Sequence, residues 1–292
     1  MARRWGFAVV WASLALVAGP ALARALAPTA PLFRSTTSVG LWLVWAVTLV
    51  AALVPRTVTL TVVRIVAPAA VVAAAWAALA TATLGVDDAA ALVATTVAAA
   101  VALAPAVGDE FVNGSSYGEE RRLPLRAPGA FLLGPLELLW AVVVAGAAAG
   151  PLLLAERQWL LGGFALVVGW PVAWWGSRSL HALARRWLVF TPAGIVVHDQ
   201  LAVVEAMLVL RNQVESVGPA LADTTAKDLT QGAPGLALQL TAREPVAISP
   251  TPVRHLGERP TVVSEDVPAI LFTPTRPGVL LAEATARRYR VG

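Results

Sequence analysis

The sequence predicts an α-helical membrane domain of six spans, residues 1–184, followed by a small β-rich cytoplasmic domain, residues 185–292, that closes with a helix. Three observations predict it. Of 292 residues, 58% are hydrophobic and only 14% are charged, with a mean hydropathy of +0.71; soluble domains carry about 25% charged residues. Several uncharged runs approach or exceed the ~18 residues that mark a membrane-crossing helix. From Arg185 on the texture changes: in 185–292 eleven Lys/Arg and ten Asp/Glu are spread among short β-prone runs separated by turn residues.

The six apolar segments follow in order. The first is 5–23 and the second is 39–54, which is short and closed by Pro55-Arg56. The third lies within 57–84, most safely from Ile65 to Leu84, and the fourth is 89–107. The fifth is 129–154 and the sixth 158–176. A run of about 20 residues at ~1.5 Å each crosses a ~30 Å hydrocarbon core. The start "MARRWGFAVVWASLALVAGPALARA" also fits a signal peptide, with a basic start, an apolar run and a small-residue end. The length of the run and its two tryptophans favour an uncleaved helix; cleavage after residue 23 would leave five spans. Gly146 and Gly150 form a G-x-x-x-G spacing in the fifth segment, read as packing within the chain rather than as a dimer motif.

Orientation follows from arginine. With the N-terminus in the cytoplasm, nine arginines fall on cytoplasmic flanks (Arg3, Arg4, Arg56, Arg121, Arg122, Arg126, Arg178, Arg185, Arg186) and three on outer flanks (Arg24, Arg34, Arg157). The positive-inside rule then puts both termini in the cytoplasm of a bacterial inner membrane. The pI near 10.5 does not indicate nucleic acid, because most basic residues before 190 flank apolar runs. Cysteine is absent, which removes disulfides, thiolate metal sites and a cysteine nucleophile. No Walker loop, G-x-S-x-G or H-E-x-x-H occurs, and His181, His198 and His255 are scattered, so no catalytic group, cofactor or metal is assigned.

Three groups of residues are candidate sites. The first is an intramembrane ion pair of Arg64, in "TVTLTVVRIV", with Glu137, in "LLGPLELLW". Each stands eight residues past a cytoplasmic flank, about 12 Å along a helix. A carboxylate there must be paired, protonated or hydrated; the plainer reading is a snorkelling arginine and a neutral acid. The second is the polar loop "GDEFVNGSSYGEERRLPLR", 108–126, read as a cytoplasmic turn in which Asn113-Gly114 marks a tight bend. Arg121, Arg122 and Arg126 suffice as topology anchors, and Asp109, Glu110, Glu119 and Glu120 are expected to dock the tail through Arg185 and Arg186. The third is "ADTTAKDLTQGAPG", 222–235, a loop between strands or, through Asp223, Asp228 and Gln231, a recognition loop.

In the tail, strands are predicted at 186–192, 194–199, 205–212, 235–242, 245–249 and 269–274. The final "RPGVLLAEATARRYR" reads as a helix with Leu280, Leu281 and Ala284 on one face and Arg287, Arg288 and Arg290 in its last turns. "RRWLVFTPAGIVVHD" followed by "LVLRNQVESVG" resembles the opening hairpin and next strand of bacterial PH-like domains. That resemblance covers about a third of the chain and implies contacts with a lipid surface or a protein. The whole chain resembles a family of actinobacterial multi-pass membrane proteins through "DEFVNGSSYGEERR", "DLTQGAPG" and "LFTPTRPG". This implies a lineage and a location and no activity. The expected role is a non-enzymatic scaffold or regulator that meets the bilayer and presents its tail to a protein partner at the cytoplasmic face. The rivals are a small transporter or transporter subunit using Arg64 and Glu137, and a membrane-embedded lipid-processing enzyme using the charges of 109–126.

Overall fold

A computed structural model describes residues 5–81, 83–132, 134–251 and 264–292; Arg3, Arg4 and His255 lie outside them. The chain forms two compact units. One joins Met1–Gly114 to Glu137–His181, and the other joins Ser115–Leu136 to Ala182–Gly292. The expected division at 184/185 misses the insertion of 115–136 into the tail unit, because a polar loop scores as a connection until its pairing partner is known.

Among the described residues, six helical stretches are long and apolar enough to span a membrane: Gly6–Leu26, Pro31–Leu53, Thr57–Ala80, Val86–Leu103, Pro135–Ala155 and Trp159–Leu183. Leu16, Leu79 and Leu160 are 81, 86 and 90% exposed. Such residues need an apolar solvent when they recur all round a bundle. The first stretch is two helices, α1 (Gly6–Val17) and α2 (Gly19–Leu26), broken at Ala18 where Pro20 enters the first turn of α2. The second, α3 (Pro31–Leu53), is 23 residues long, so the expected shortness disappears. The polar run from Ser35 belongs to the helix, and the Ser35 hydroxyl donates to the Leu32 carbonyl at 3.0 Å. The Trp11 indole of α1 donates to the Trp45 carbonyl of α3 at 2.9 Å, and Trp45 donates back to the Trp11 carbonyl at 3.1 Å. Each buried N–H is thereby satisfied across the helix pair.

Next come α4 (Thr57–Ala80) and α5 (Val86–Leu103), which pack on each other. Arg24 of α2 bridges to Asp87 at 3.0 Å and Asp88 at 2.9 Å in the first turn of α5. Asp88 is fully buried and also accepts the Gly85 N–H at 2.8 Å. The residues read as outer flanking charges are thus a built contact. Beyond α5, Pro105 starts a further helix, α6 (Pro105–Asn113), so "GDEFVN" is helical rather than loop. Gly114 caps α6, and a Cβ there would lie 2.0 Å from the Pro55 carbonyl oxygen, which fixes α6 against the turn between α3 and α4.

The fifth and sixth membrane-length stretches are α7 (Pro135–Ala155) and α8 (Trp159–Leu183). Their backbones touch where glycine stands. A Cβ on Gly146 would lie 2.8 Å from the Gly169 carbonyl, and one on Gly150 would lie 2.8 Å from the Leu166 Cα. The G-x-x-x-G pair therefore serves packing within the chain, as its composition suggested.

In the second unit, β1 (Arg121–Pro124), β2 (Trp187–Phe190), β3 (Gly194–His198) and β4 (Met207–Leu210) form one antiparallel sheet in that order. A second sheet has the order β5 (Val214–Pro219), β7 (Leu238–Ile248), β8 (Glu265–Phe272) and β6 (Lys227–Asp228). Alternate residues of both sheets fill one core that includes Leu123, Leu188, Phe190, Ile195, Leu238, Leu240 and Phe272. The strands expected at 235–242 and 245–249 are a single strand, β7, with a register irregularity between Thr241 and Val246. The helix α9 (Pro277–Ala286) buries Leu280 and Ala284 and lays Leu281 against the core. It stops earlier than expected. Arg288 takes a left-handed backbone (φ 60°), and Val291 bridges in parallel to Val217 of β5. Arg288 and Arg290 are therefore not helical.

Candidate functional sites

The polar loop divides between the two units. Its first half is α6 in the helical unit, and its second half is β1 in the β-rich unit. β1 is held by backbone pairing with β2, Arg121 opposite Phe190 through Pro124 opposite Trp187. Leu123 and Leu125 enter the core. Strand pairing and apolar burial join this segment to the tail, in place of the expected acid–arginine docking. Arg186 does not turn to the loop acids: its Nε and Nη2 donate to Asp199 at 2.8 and 2.7 Å. What it gives the loop is a hydrogen bond from Nη1 to the Arg126 carbonyl at 2.6 Å. Glu120 pairs locally with Arg122 at 3.3 Å, and the Glu119 carbonyl accepts from Arg287. Arg122 also lies over the Trp187 ring at 5.7 Å. Asp109 is buried, and Glu110 half-buried, in α6.

In the helical unit, one turn of α4 gathers polar groups from three other helices. Thr61 Oγ1 hydrogen-bonds His181 Nδ1 of α8 at 2.8 Å. The Ile65 carbonyl accepts the Trp140 indole of α7 at 2.9 Å. The Arg64 guanidinium lies on α6, where a Cβ at Gly108 would approach Nη2 to 2.7 Å. Asp109, not Glu137, is the carboxylate whose charge acts on Arg64. The expected depth of Glu137 also changes. Residues 129–131 form a short 3-10 turn and Gly134 (φ 101°) precedes α7, so Glu137 is exposed in the first helical turn rather than two turns deep. An acid there suits the helix dipole. Thr61, Trp140 and His181 were not legible as a group, because no spacing in sequence links three separate helices.

The segment 222–235 is largely structural. Leu229 and Thr230 are buried, and Asp228 Oδ1 accepts the Thr230 N–H at 2.7 Å in a local turn. Gln231 adopts φ 54°, donates to the Leu201 carbonyl and accepts the Gly129 N–H at 3.3 Å. Asp223 remains on the exposed turn. His198 stacks on Trp187 with centroids 4.8 Å apart. Burial, then the charge of Arg185 and, more weakly, Arg122, holds its imidazole below the ordinary value of 6.5, against the opposing pull of Asp199. Among the described residues, no three His, Asp or Glu side chains cluster as a metal site would need.

Fold and sites together describe a protein with six membrane-length helices and a β-rich unit assembled from two separate chain segments. Comparison with known proteins finds no matching family model, no matching curated protein and no matching solved structure.

Proposed function

We propose that the protein is a multi-pass scaffold or regulator of a bacterial inner membrane, with both termini in the cytoplasm, that presents its PH-like β-rich unit to a protein partner. The observation that carries this reading is the pairing of β1 with β2. Two membrane-length helices, α7 and α8, separate those strands, which supports a loop and a tail on one side of the membrane. Four such stretches precede β1, which supports an N-terminus on that side too. The arginine bias names the side as the cytoplasm. A domain connected to the membrane part by three chain crossings suits presentation of a surface.

The absence of cysteine makes the topology directly testable. Ala222→Cys and Gln158→Cys, both at exposed positions, are treated with an impermeant maleimide in intact cells. Labelling of position 158 alone is expected; labelling of 222 inverts the orientation. For the scaffold role, partners that copurify with the full chain in mild detergent should be lost from Leu123→Asp, which leaves the anchor and unfolds the β-rich unit. Unchanged partners would overturn it.

A second reading, transport, is favoured by one observation: Thr61, Arg64, Asp109, Trp140 and His181 converge on a single turn of α4. Charged and titratable groups at membrane depth mark ion and proton paths.

A further inference from the structure

The β-rich unit contains a cavity of about 490 Å³ where the turn after β4, the start of β5, the middle of β7 and the chain beyond α9 meet. Its walls carry Arg211, Arg243, Arg288 and Arg290, with Glu215 as the one acid among them. None of these four arginines makes an ion pair with a carboxylate among the described residues. Three other arginines of the same unit are paired: Arg186 with Asp199, Arg287 with Glu283 and Arg122 with Glu120. Four like charges around one hollow repel each other.

The fold holds them there deliberately. Tyr289 is 8% exposed and packs against Phe190 with ring centroids 5.8 Å apart. Arg211 lies 4.9 Å over the Tyr289 ring and donates to the Arg287 carbonyl. The left-handed turn at Arg288 ends α9, and Val217 N–H then bonds the Arg290 carbonyl at 2.9 Å. Arg288 and Arg290 thus flank the buried Tyr289 in the chain, and Arg288 adopts a backbone conformation that costs an L-residue about 1 kcal/mol or more. The Tyr289 hydroxyl has no hydrogen-bond partner among the described residues.

We propose that this cavity is a binding site for a phosphate-type oxyanion carrying two or more negative charges. Guanidinium groups present planar pairs of N–H donors that match phosphate oxygens, and several of them around one anion relieve their mutual repulsion. With Glu215 the lining carries a formal charge of about +3, which a singly charged ion does not neutralise. The chemistry is common to a free polyphosphate and to a phosphorylated lipid headgroup. This inference does not depend on the scaffold reading.

The test uses the full chain in nanodiscs of pure phosphatidylcholine, titrated with inorganic pyrophosphate in a calorimeter. Saturable binding is expected, weakened at least tenfold in Arg243→Ala and in Arg290→Ala and unchanged in Arg185→Ala, which removes the same charge from the same unit outside the cavity. Absence of saturable binding to the wild-type chain overturns the proposal. So does equal weakening by Arg185→Ala, which would mean attraction to net charge alone. Circular dichroism of each variant shows whether the unit is folded; if the single alanine variants unfold, Arg243→Lys and Arg290→Lys replace them, with at least threefold weakening expected and unchanged affinity counting against the site. A second series adds phosphatidate to the nanodiscs. Competition that lowers the apparent pyrophosphate affinity identifies a lipid headgroup as the source of the phosphate, and unaltered affinity identifies a soluble one.

Discussion

Arg186 and Asp199 form a bidentate ion pair inside the β-rich unit, 2% and 1% exposed, with N–O distances of 2.8 and 2.7 Å. Its remaining atoms are also engaged: Nη1 reaches the Arg126 carbonyl at 2.6 Å, and Asp199 Oδ1 accepts the Leu201 N–H at 3.1 Å. The pair therefore joins β2 and β3 to the segment that lies between α6 and α7 in the chain. Removing one partner strands a buried charge and costs about 3–5 kcal/mol, whereas replacing both by apolar groups costs far less. Asp199→Ala should lower the thermal unfolding midpoint of the full chain in detergent strongly, and Arg186→Met with Asp199→Leu should recover most of the loss. Circular dichroism melts check both.

The incorporation of β1 predicts a large effect from a residue that looks like part of a loop. Leu123 is 1% exposed in the core. Leu123→Ala should destabilise the β-rich unit by about 2–5 kcal/mol. Tyr117→Ala, at an 84% exposed position a few residues earlier, should change stability by less than about 0.5 kcal/mol. Limited proteolysis of the two variants distinguishes these outcomes.

Close contact of α7 with α8 depends on hydrogen in place of a side chain. Gly150→Leu would put a Cβ 2.8 Å from the Leu166 backbone. The helices must part, at a cost of about 1–3 kcal/mol. A Cβ at Gly163 meets nothing within 4 Å, and Gly163→Leu should be neutral. Thermal stability measured by detergent size-exclusion chromatography after heating gives the comparison.

His198 gives the β-rich unit a pH dependence of defined sign. Its folded value lies below 6.5 because of burial and the nearby arginines. The unfolded chain then binds the proton more readily, so the stabilisation is full above about 6.5 and is lost as the pH falls through 6.5 towards the folded value. His198→Phe keeps the stack on Trp187 and should flatten this slope. Unfolding midpoints of the two proteins between pH 5 and about 7.5 test it; parallel slopes would remove His198 as the cause.

Asp109 is expected to be the functional partner of Arg64. Arg64→Glu should reduce the yield of folded protein in membranes several-fold, and adding Asp109→Arg should restore it in part. Adding Glu137→Arg in its place should not. Yield is read from fluorescence size-exclusion profiles, and rescue by Glu137→Arg alone would return the pair to α4 and α7.

The number of apolar helices and most of their centres were legible because hydrophobicity is a local property summed over a window. The proline-led starts of α3 and α6 were not, since polar residues such as Ser35 and Asp109 are helical only when neighbouring groups satisfy them. The loop 108–126 shows the same limit. Its charges invited an electrostatic reading, yet its two halves are held by a helix packed on Pro55 and by a strand paired with β2.

By itself the sequence determined that the chain carries membrane-length helices, that its tail alternates as strands do, and that its arginines favour one side. Each of these is set by residues close together in the chain. The tertiary structure alone decided that residues 121–124 complete the tail's first sheet, that Arg186 meets Arg126 across sixty positions, and that four arginines share one cavity. These depend on hydrogen bonds and charges between segments far apart in sequence, where composition and periodicity hold no information about partners.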